Sequence, residues 1–302
     1  MYKHFLTSVL LVFFMLSCSK PSPFEGKMRE SVQTSLSWRN DTTGIWETAV
    51  WWNSANVLTA TIRYGAVTKD PAIPSVIEDV FEKARHYQVG VDSTGTPRYC
   101  DNFINDYYDD EGWWALAWIE ASKLTGEKKY LDMAEIIFDD MTTGWSDACG
   151  GGIFWKKNPL HYKNSIANNL FSLTAIRLYK ATQNPAYLDW FKKNVDWYTQ
   201  TGMINTDIYQ IEDGTKDDCT PNRNAHYTYN QGVAIAVLAE MYLQTNDKSY
   251  LELAEKIADA TITTQLVTDE GILREMKPEI DDSNDGVQFK GIFIRHLAFL
   301  YE

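Results

Sequence analysis

Apolar and polar positions follow two recurring patterns along this chain. From Gly112 to Leu124 nearly every position is apolar or small, with Trp113, Trp114, Ala115, Leu116, Ala117, Trp118, Ile119 and Ala121 in close succession. That is the pattern of a helix covered on all sides. After a turn at Thr125-Gly126, the segment to Met141 gathers Tyr130, Met133, Ala134, Ile137 and Met141 on one stripe and sets Glu127, Lys128, Asp132, Glu135 and Asp139 opposite. That is a helix with one face in water. The pair recurs. Ser165 to Tyr179 is apolar-rich and is followed by a stripe of Tyr187, Leu188, Phe191, Val195 and Tyr198. Val233 to Leu243 is apolar again, followed by a stripe of Tyr250, Leu251, Ala254, Ile257 and Ala258.

A shared motif marks the joint within each pair. Thr125 precedes Tyr130-Leu131, Thr182 precedes Tyr187-Leu188 and Thr245 precedes Tyr250-Leu251, with a weaker copy from Thr68 to Ile73. The four threonines lie 57, 57 and 63 residues apart, enough for two helices and two connections per unit. Inner helices alternating with outer ones close most naturally into a double-ringed α/α barrel. An open solenoid shares the periodicity but needs polar end caps, which the chain does not display. The inner-to-outer turns are tight, whereas the returns are long and rich in Gly, Asp, Asn and Pro: roughly 86–108, 142–163, 200–228 and 264–288. Long loops therefore collect at the N-terminal ends of the inner helices, and a binding cleft is expected there.

Composition narrows the partner. The formal net charge of -13 argues against a nucleic-acid backbone as ligand, because phosphate binders concentrate Lys and Arg. A neutral polymer such as a carbohydrate is easier to accommodate, and the 11 Trp and 17 Tyr supply flat rings suited to sugar faces as well as to a core. Lys3 and His4 precede an apolar run from Phe5 to Leu16 and then Ser17-Cys18, the layout of an export signal too short to span a membrane. Cys18 stands where a bacterial lipoprotein is cleaved and lipidated, although Met15-Leu16 departs from the usual residues there; the alternative is a soluble secreted protein. The domains expected are thus a signal over 1–18, a tether over 19–23 and one folded domain over 24–302, a monomer held in the cell envelope, periplasm or outer membrane, by its lipid alone.

Cys100, Cys149 and Cys219 remain, all in expected loops, so at most one disulfide can form. A Cys149 to Cys219 bridge and buried free thiols are both compatible with the pattern. No CxxC, HExxH or calcium-loop spacing occurs, and neither a metal nor a cofactor is expected.

The stretch from Asn105 to Trp114 carries the chemistry. Asp pairs also occur at Asp139-Asp140, Asp217-Asp218 and Asp281-Asp282, and an Asp at a helix start is ordinarily a cap. Asp109-Asp110 differs because it opens an inner helix among Tyr107, Tyr108, Trp113 and Trp114. The helix N-terminus favours ionisation of one carboxyl, and that charge holds the proton on its neighbour. A nucleophile and an acid result, close enough for a retaining glycosidase.

Tyr108-Asp109-Asp110-Glu111-Gly112-Trp113-Trp114 resembles the catalytic signature of glycoside hydrolase family 76, endo-α-1,6-mannanases with an (α/α)6 barrel. Trp51 to Asn56, Gly151 to Trp155, Lys163 to Asn168, Thr228 to Gly232 and Phe289 to Phe293 extend the resemblance in order to the C-terminus. It implies a retaining hydrolase of α-1,6-mannan with Asp109 as nucleophile and Asp110 as acid/base. Substrate contacts are expected from Trp52, Asn53, Asn56, Tyr108, Trp113, Asn164, Tyr229, Asn230, Gln231 and Lys290, with capping and inter-helix bonds as the other use of the Asn and Gln residues. Counting a first outer helix from Phe24 to Trp38 gives ten helices where the family's barrel has twelve, so the expected barrel lacks its last pair. Two other functions fit the residues: a glycan-binding lipoprotein without turnover, and another α/α-barrel enzyme, an inverting glycosidase or a sugar epimerase, which would set its catalytic groups on separate helices.

Overall fold

The computed structural model describes residues 23–157, 162–223, 225–264, 266–276 and 285–301. The export signal with Cys18, the tether up to residue 22 and the pair Asp281-Asp282 lie outside the described residues. Ten α-helices are present among those described: α1 (Pro23–Ser37), α2 (Val50–Thr68), α3 (Ile73–Ala84), α4 (Tyr108–Thr125), α5 (Lys128–Thr142), α6 (Ser165–Thr182), α7 (Pro185–Gln200), α8 (Thr228–Thr245), α9 (Lys248–Thr263) and α10 (Gly286–Tyr301). Helices α2, α4, α6, α8 and α10 pack side by side as an inner ring, and α5, α7 and α9 lie outside their preceding partners. The protein is an all-α barrel of alternating inner and outer helices, as the two hydrophobic patterns require.

Burial follows those patterns. Along α6 every residue from Ser165 to Ile176 is buried, whereas α5 buries Tyr130, Met133, Ala134, Ile137, Phe138 and Met141 on one face. Gly112 permits the inner ring to close up between α4 and α6, since a Cβ there would stand 2.7 Å from the Cβ of Leu170. The inner helix α8 begins earlier than its apolar run indicates, at Thr228, because its first turn, Thr228-Tyr229-Asn230-Gln231, is largely polar.

The repeated threonine is explained at the corners. In α2, α4, α6 and α8 its hydroxyl donates to the carbonyl four residues back at 2.8 Å: Thr68 to Tyr64, Thr125 to Ala121, Thr182 to Leu178 and Thr245 to Met241. The same oxygen accepts the N–H two residues on, from Asp70, Glu127, Asn184 and Asp247. Between them Lys69, Gly126, Gln183 and Asn246 adopt left-handed φ values of 56°, 76°, 60° and 56°, each sending its N–H to a helix carbonyl. This left-handed stop satisfies the orphan carbonyls and reverses the chain within a few residues. The repeated tyrosine then ties neighbouring outer helices, Tyr130 donating to Glu78 at 2.7 Å and Tyr187 to Glu135 at 2.9 Å.

The returns meet at the other end. They contain two short antiparallel hairpins, β1 (Gln88–Val91) with β2 (Pro97–Tyr99) and β3 (Ile204–Asn205) with β4 (Gln210–Ile211). A disulfide joins Cys149 to Cys219 across 70 residues and links the second and third returns, while Cys100 stays a buried thiol. Of the two arrangements left open by the cysteine spacing, the bridge forms. Lys163, fully buried, reinforces it by donating to the carbonyls of Ser146 (2.7 Å), Ala148 (2.5 Å) and Gly151.

Candidate active site

The second return approaches the start of α4 and sets the geometry there. Tyr108 N–H donates to the carbonyl of Trp155 at 3.0 Å, and Lys157 N–H to that of Asp106 at 2.9 Å, so the segment around Trp155 runs along the entry to α4. Asn168 of α6 fixes this segment from below, exchanging bonds of 2.9 and 3.0 Å with the backbone of Ile153. Gly152 is obligatory within it: its φ is +81°, and a Cβ would fall 2.3 Å from the Trp197 ring.

Asp109 and Asp110 do not serve as caps. The N-cap position is Tyr107, no side chain caps the helix, and both carboxyls line a cleft of about 600 Å³. Their partners differ. Asp109 Oδ2 accepts the indole N–H of Trp155 at 3.0 Å, whereas Asp110 Oδ2 accepts Asn105 Nδ2 at 2.6 Å. Asp109 Oδ1 is buried without a partner among the described residues. Burial is the main cause that raises Asp109 to about 7, against the opposing bond from Trp155. Asp110 is pushed well above the carboxylate range by burial and then by the charge of Asp109, with Asn105 opposing. The two acids therefore compete for ionisation, and the pair resists carrying two charges at once. Glu111 points away, buried in an ion pair with Lys157 at 2.7 Å, and Lys157 also holds Asp140 at 2.6 Å.

Aromatic walls enclose the pair. Trp52 lies against Trp113 (5.9 Å between ring centres) and Phe289 (6.2 Å), and its N–H donates to Asp285 at 3.0 Å. Tyr229 stacks on Phe289 at 3.9 Å with the planes 4° apart. Tyr107, Trp155, Tyr162, Asn164 and Tyr227 complete the lining, together with two further carboxylates, Asp213 and Asp285. Asp213 is raised by burial and accepts bonds from Tyr162 and, at 3.2 Å, from Asn230. Flat rings around largely buried acid groups suit a polyhydroxylated ring ligand better than a charged one. Among the described residues no group of three or more His, Cys, Asp or Glu is placed to hold a metal ion.

Of the expected site residues, Asp109, Asp110, Trp52, Trp113, Asn164 and Tyr229 line the cleft. The others do not. Tyr108 turns its ring against Gly144 and its hydroxyl to Thr143 at 3.1 Å, a packing role. Asn53 is fully buried within the barrel wall, and Asn56 lies beneath the cleft as acceptor for Arg295 at 2.7 Å. Gln231 is consumed by the backbone of Ile211, accepting its N–H at 2.7 Å and donating to its carbonyl at 3.1 Å. Asn230 stands behind Asp213, and Lys290 is half-buried on α10 outside the lining. Asn53, Asn56 and Gln231 stand at the starts of inner helices, but helical periodicity turns their side chains into the barrel wall. Sequence reasoning missed Trp155, Tyr162, Asp213, Tyr227 and Asp285 as lining and Asn105 as the partner of Asp110. Trp155 carried a signal as the end of the Gly151 to Trp155 motif, and Asn105 as the first residue of the stretch that runs to Trp114.

Comparison with known proteins places the chain in a family and matches its fold. The model of glycosyl hydrolase family 76 matches residues 24–302. The chain is similar to a mannan endo-1,6-alpha-mannosidase of Saccharomyces cerevisiae, 29% identical over 206 residues, covering 63% of this chain and 45% of the relative. It is also similar to one from Candida albicans, 25% identical over 265 residues, covering 82% of this chain and 57% of the relative. The chain thus spans about half the length of the curated relatives it matches. Among solved structures, an alpha-1,6-mannanase from Salegentibacter sp. HEL1_6 superposes with a TM-score of 0.77 at 26% identity, over 91% of this chain and 80% of that one. A Listeria innocua protein does so with a TM-score of 0.77 at 27% identity, over 92% and 80%.

Proposed function

The chain belongs to glycosyl hydrolase family 76, and we propose that it cleaves α-1,6-linked mannan within the polymer, retaining the configuration of the sugar at which it cuts. The observation that carries this reading is the unequal environment of the two adjacent acids in one cleft: Asp109 accepts the indole N–H of Trp155, and Asp110 accepts the amide of Asn105. The substrate class follows the names of the relatives and the aromatic walls of the cleft.

With Asp109 ionised, its carboxylate attacks the anomeric carbon as Asp110 passes its proton to the departing glycosidic oxygen. One C–O bond forms to Asp109 and one breaks to the leaving sugar. Asp110, now a carboxylate, takes a proton from water, whose oxygen displaces Asp109 and restores the acid pair. Trp155 would spread the charge of Asp109 through its N–H bond. Trp52, Trp113 and Tyr229 would stack on sugar rings, and Asp213 is within the lining to accept sugar hydroxyls.

The test is turnover of linear α-1,6-mannan by Asp109→Asn and Asp110→Asn separately, with the anomer of the first product read by proton NMR. Each variant should lose about a hundredfold or more in kcat/KM. Near-wild-type turnover in both would end the assignment, and an inverted product would end the retaining mechanism alone. Binding of mannan with no product from the wild type would favour the glycan-binding alternative.

A further inference from the structure

The segment that brings Trp155 to Asp109 is held a second time, outside the lining of the cleft. Glu111 and Lys157 stand two residues beyond Asp109 and Trp155, and the two pairs are joined alike. The indole N–H of Trp155 reaches Asp109 at 3.0 Å, and the Lys157 ammonium lies 2.7 Å from Glu111. Two positions along a helix turn a side chain through roughly 200°, so Asp109 lines the cleft while Glu111 points to the side of α5. There Asp140 of α5 takes the same ammonium at 2.6 Å. Backbone bonds lie between the two pairs, from Tyr108 N–H to the carbonyl of Trp155 and from Lys157 N–H to that of Asp106.

Stability alone does not explain charges at this place. Glu111 is fully buried, and a buried ion pair gains little over apolar side chains of the same volume. Burial raises Glu111 well above the carboxylate range, with the Lys157 charge opposing. Burial also works against the Lys157 ammonium, yet Glu111 and Asp140 outweigh it and raise Lys157. Each partner therefore keeps the other charged, and what the pair adds is direction. Tyr107 and Tyr162 touch the Trp155 ring at 5.1 and 6.2 Å between centres, contacts that do not fix where its N–H points. The Glu111 to Lys157 strut supplies a second fixed point, and two fixed points orient the segment.

We propose that Glu111 and Lys157 are positioning residues for the acid pair: their ion pair sets the segment so that the Trp155 N–H falls on Asp109. The consequence for turnover rests on the hydrolase reading above, whereas the consequence for the ionisation of Asp109 does not.

Lys157→Met keeps most of the stem and removes the charge, and Glu111 then takes a proton in place of standing unpaired. Titration of carbon-13-labelled aspartate carboxyls in the folded chain, with Asp109 assigned by its loss in Asp109→Asn, reads the indole bond without an assay. In Lys157→Met, Asp109 should ionise at a pH about 0.5 higher or more, and in Trp155→Phe the added Lys157→Met should shift it no further. On mannan, kcat/KM at pH 6 should fall about threefold to tenfold through kcat, with KM little changed. An unshifted Asp109, or an equal shift with and without the indole, overturns the proposal. A shifted Asp109 in a chain whose wild type does not turn over mannan would uphold the positioning and end the hydrolase reading; an unshifted one beside full wild-type turnover would do the reverse. Should Lys157→Met not fold, Glu111→Gln keeps the shape of the side chain and is read by the same titration, a shift in the same direction upholding the proposal and none overturning it.

Discussion

The indole N–H of Trp155 reaches Oδ2 of Asp109 at 3.0 Å, joining residues 46 apart in sequence. The bond favours the ionised carboxylate, so it holds Asp109 below the value that burial alone would impose. Trp155→Phe keeps the wall of the cleft and removes the donor. The acidic limb of the pH profile of kcat/KM on mannan should move to higher pH, and activity at pH 6 should fall about tenfold, from the loss of one charge-assisted hydrogen bond. An unmoved acidic limb would show that Trp155 is only a wall.

Asn105 acts on the other limb. Its Nδ2 bond to Asp110 at 2.6 Å favours the ionised form of that acid, against burial and the charge of Asp109. Asn105→Ala should therefore raise Asp110 further and shift the alkaline limb to higher pH, leaving the acidic limb in place. Displacement of both limbs together would mean that the two acids cannot be assigned separate roles.

Buried acids also cost stability once they ionise. Asp109 rises from 3.8 to about 7 on folding, so between those values the native chain binds more protons than the unfolded one. Stability from this group is then greatest below pH 4 and declines as pH rises towards 7. Asp109→Asn should melt with the wild type at pH 4 and about 2–4 °C above it at pH 8. Equal midpoints at pH 8 would show that the acid is not buried in the native protein.

The Cys149 to Cys219 bridge fixes the two returns that carry Trp155 and Asp213. Reduction, or Cys149→Ser with Cys219→Ser, should lower stability by about 2–4 kcal/mol and reduce kcat more than helix content, since the inner ring does not depend on the link. Circular dichroism with an activity assay separates the two effects.

Corner threonines offer a control far from the cleft. Thr182→Val removes the bonds to Leu178 O and Asn184 N–H and should cost about 1 kcal/mol in urea unfolding with activity unchanged.

What could be read from the sequence divides along the length of the inner helices. The stripe of Tyr130, Met133, Ala134, Ile137 and Met141 and the corner motif at Thr125 are local patterns, fixed by helical period and by bonds spanning four residues, and they appear in the fold as expected. Asp109 and Asp110 were legible because they share a turn with Trp113. Asp213 and Tyr162 were not, since their place in the cleft depends on returns folding back across the ring, and no period records that. For Asn56 and Gln231, of the two uses left open, the structure shows the hydrogen bonds within the barrel, because a motif marks a helix start without saying which face meets the cleft.

The corner and the cleft also differ in how much chain must be gathered to make them. A threonine corner closes over six residues, so the α4–α5, α6–α7 and α8–α9 hairpins can form early and independently. The bonds that define the cleft span 46 residues from Asp109 to Trp155 and 70 from Cys149 to Cys219. Helical signal should consequently recover before enzymatic competence during refolding, and the paired acids acquire their raised pKa values only as the last loops dock.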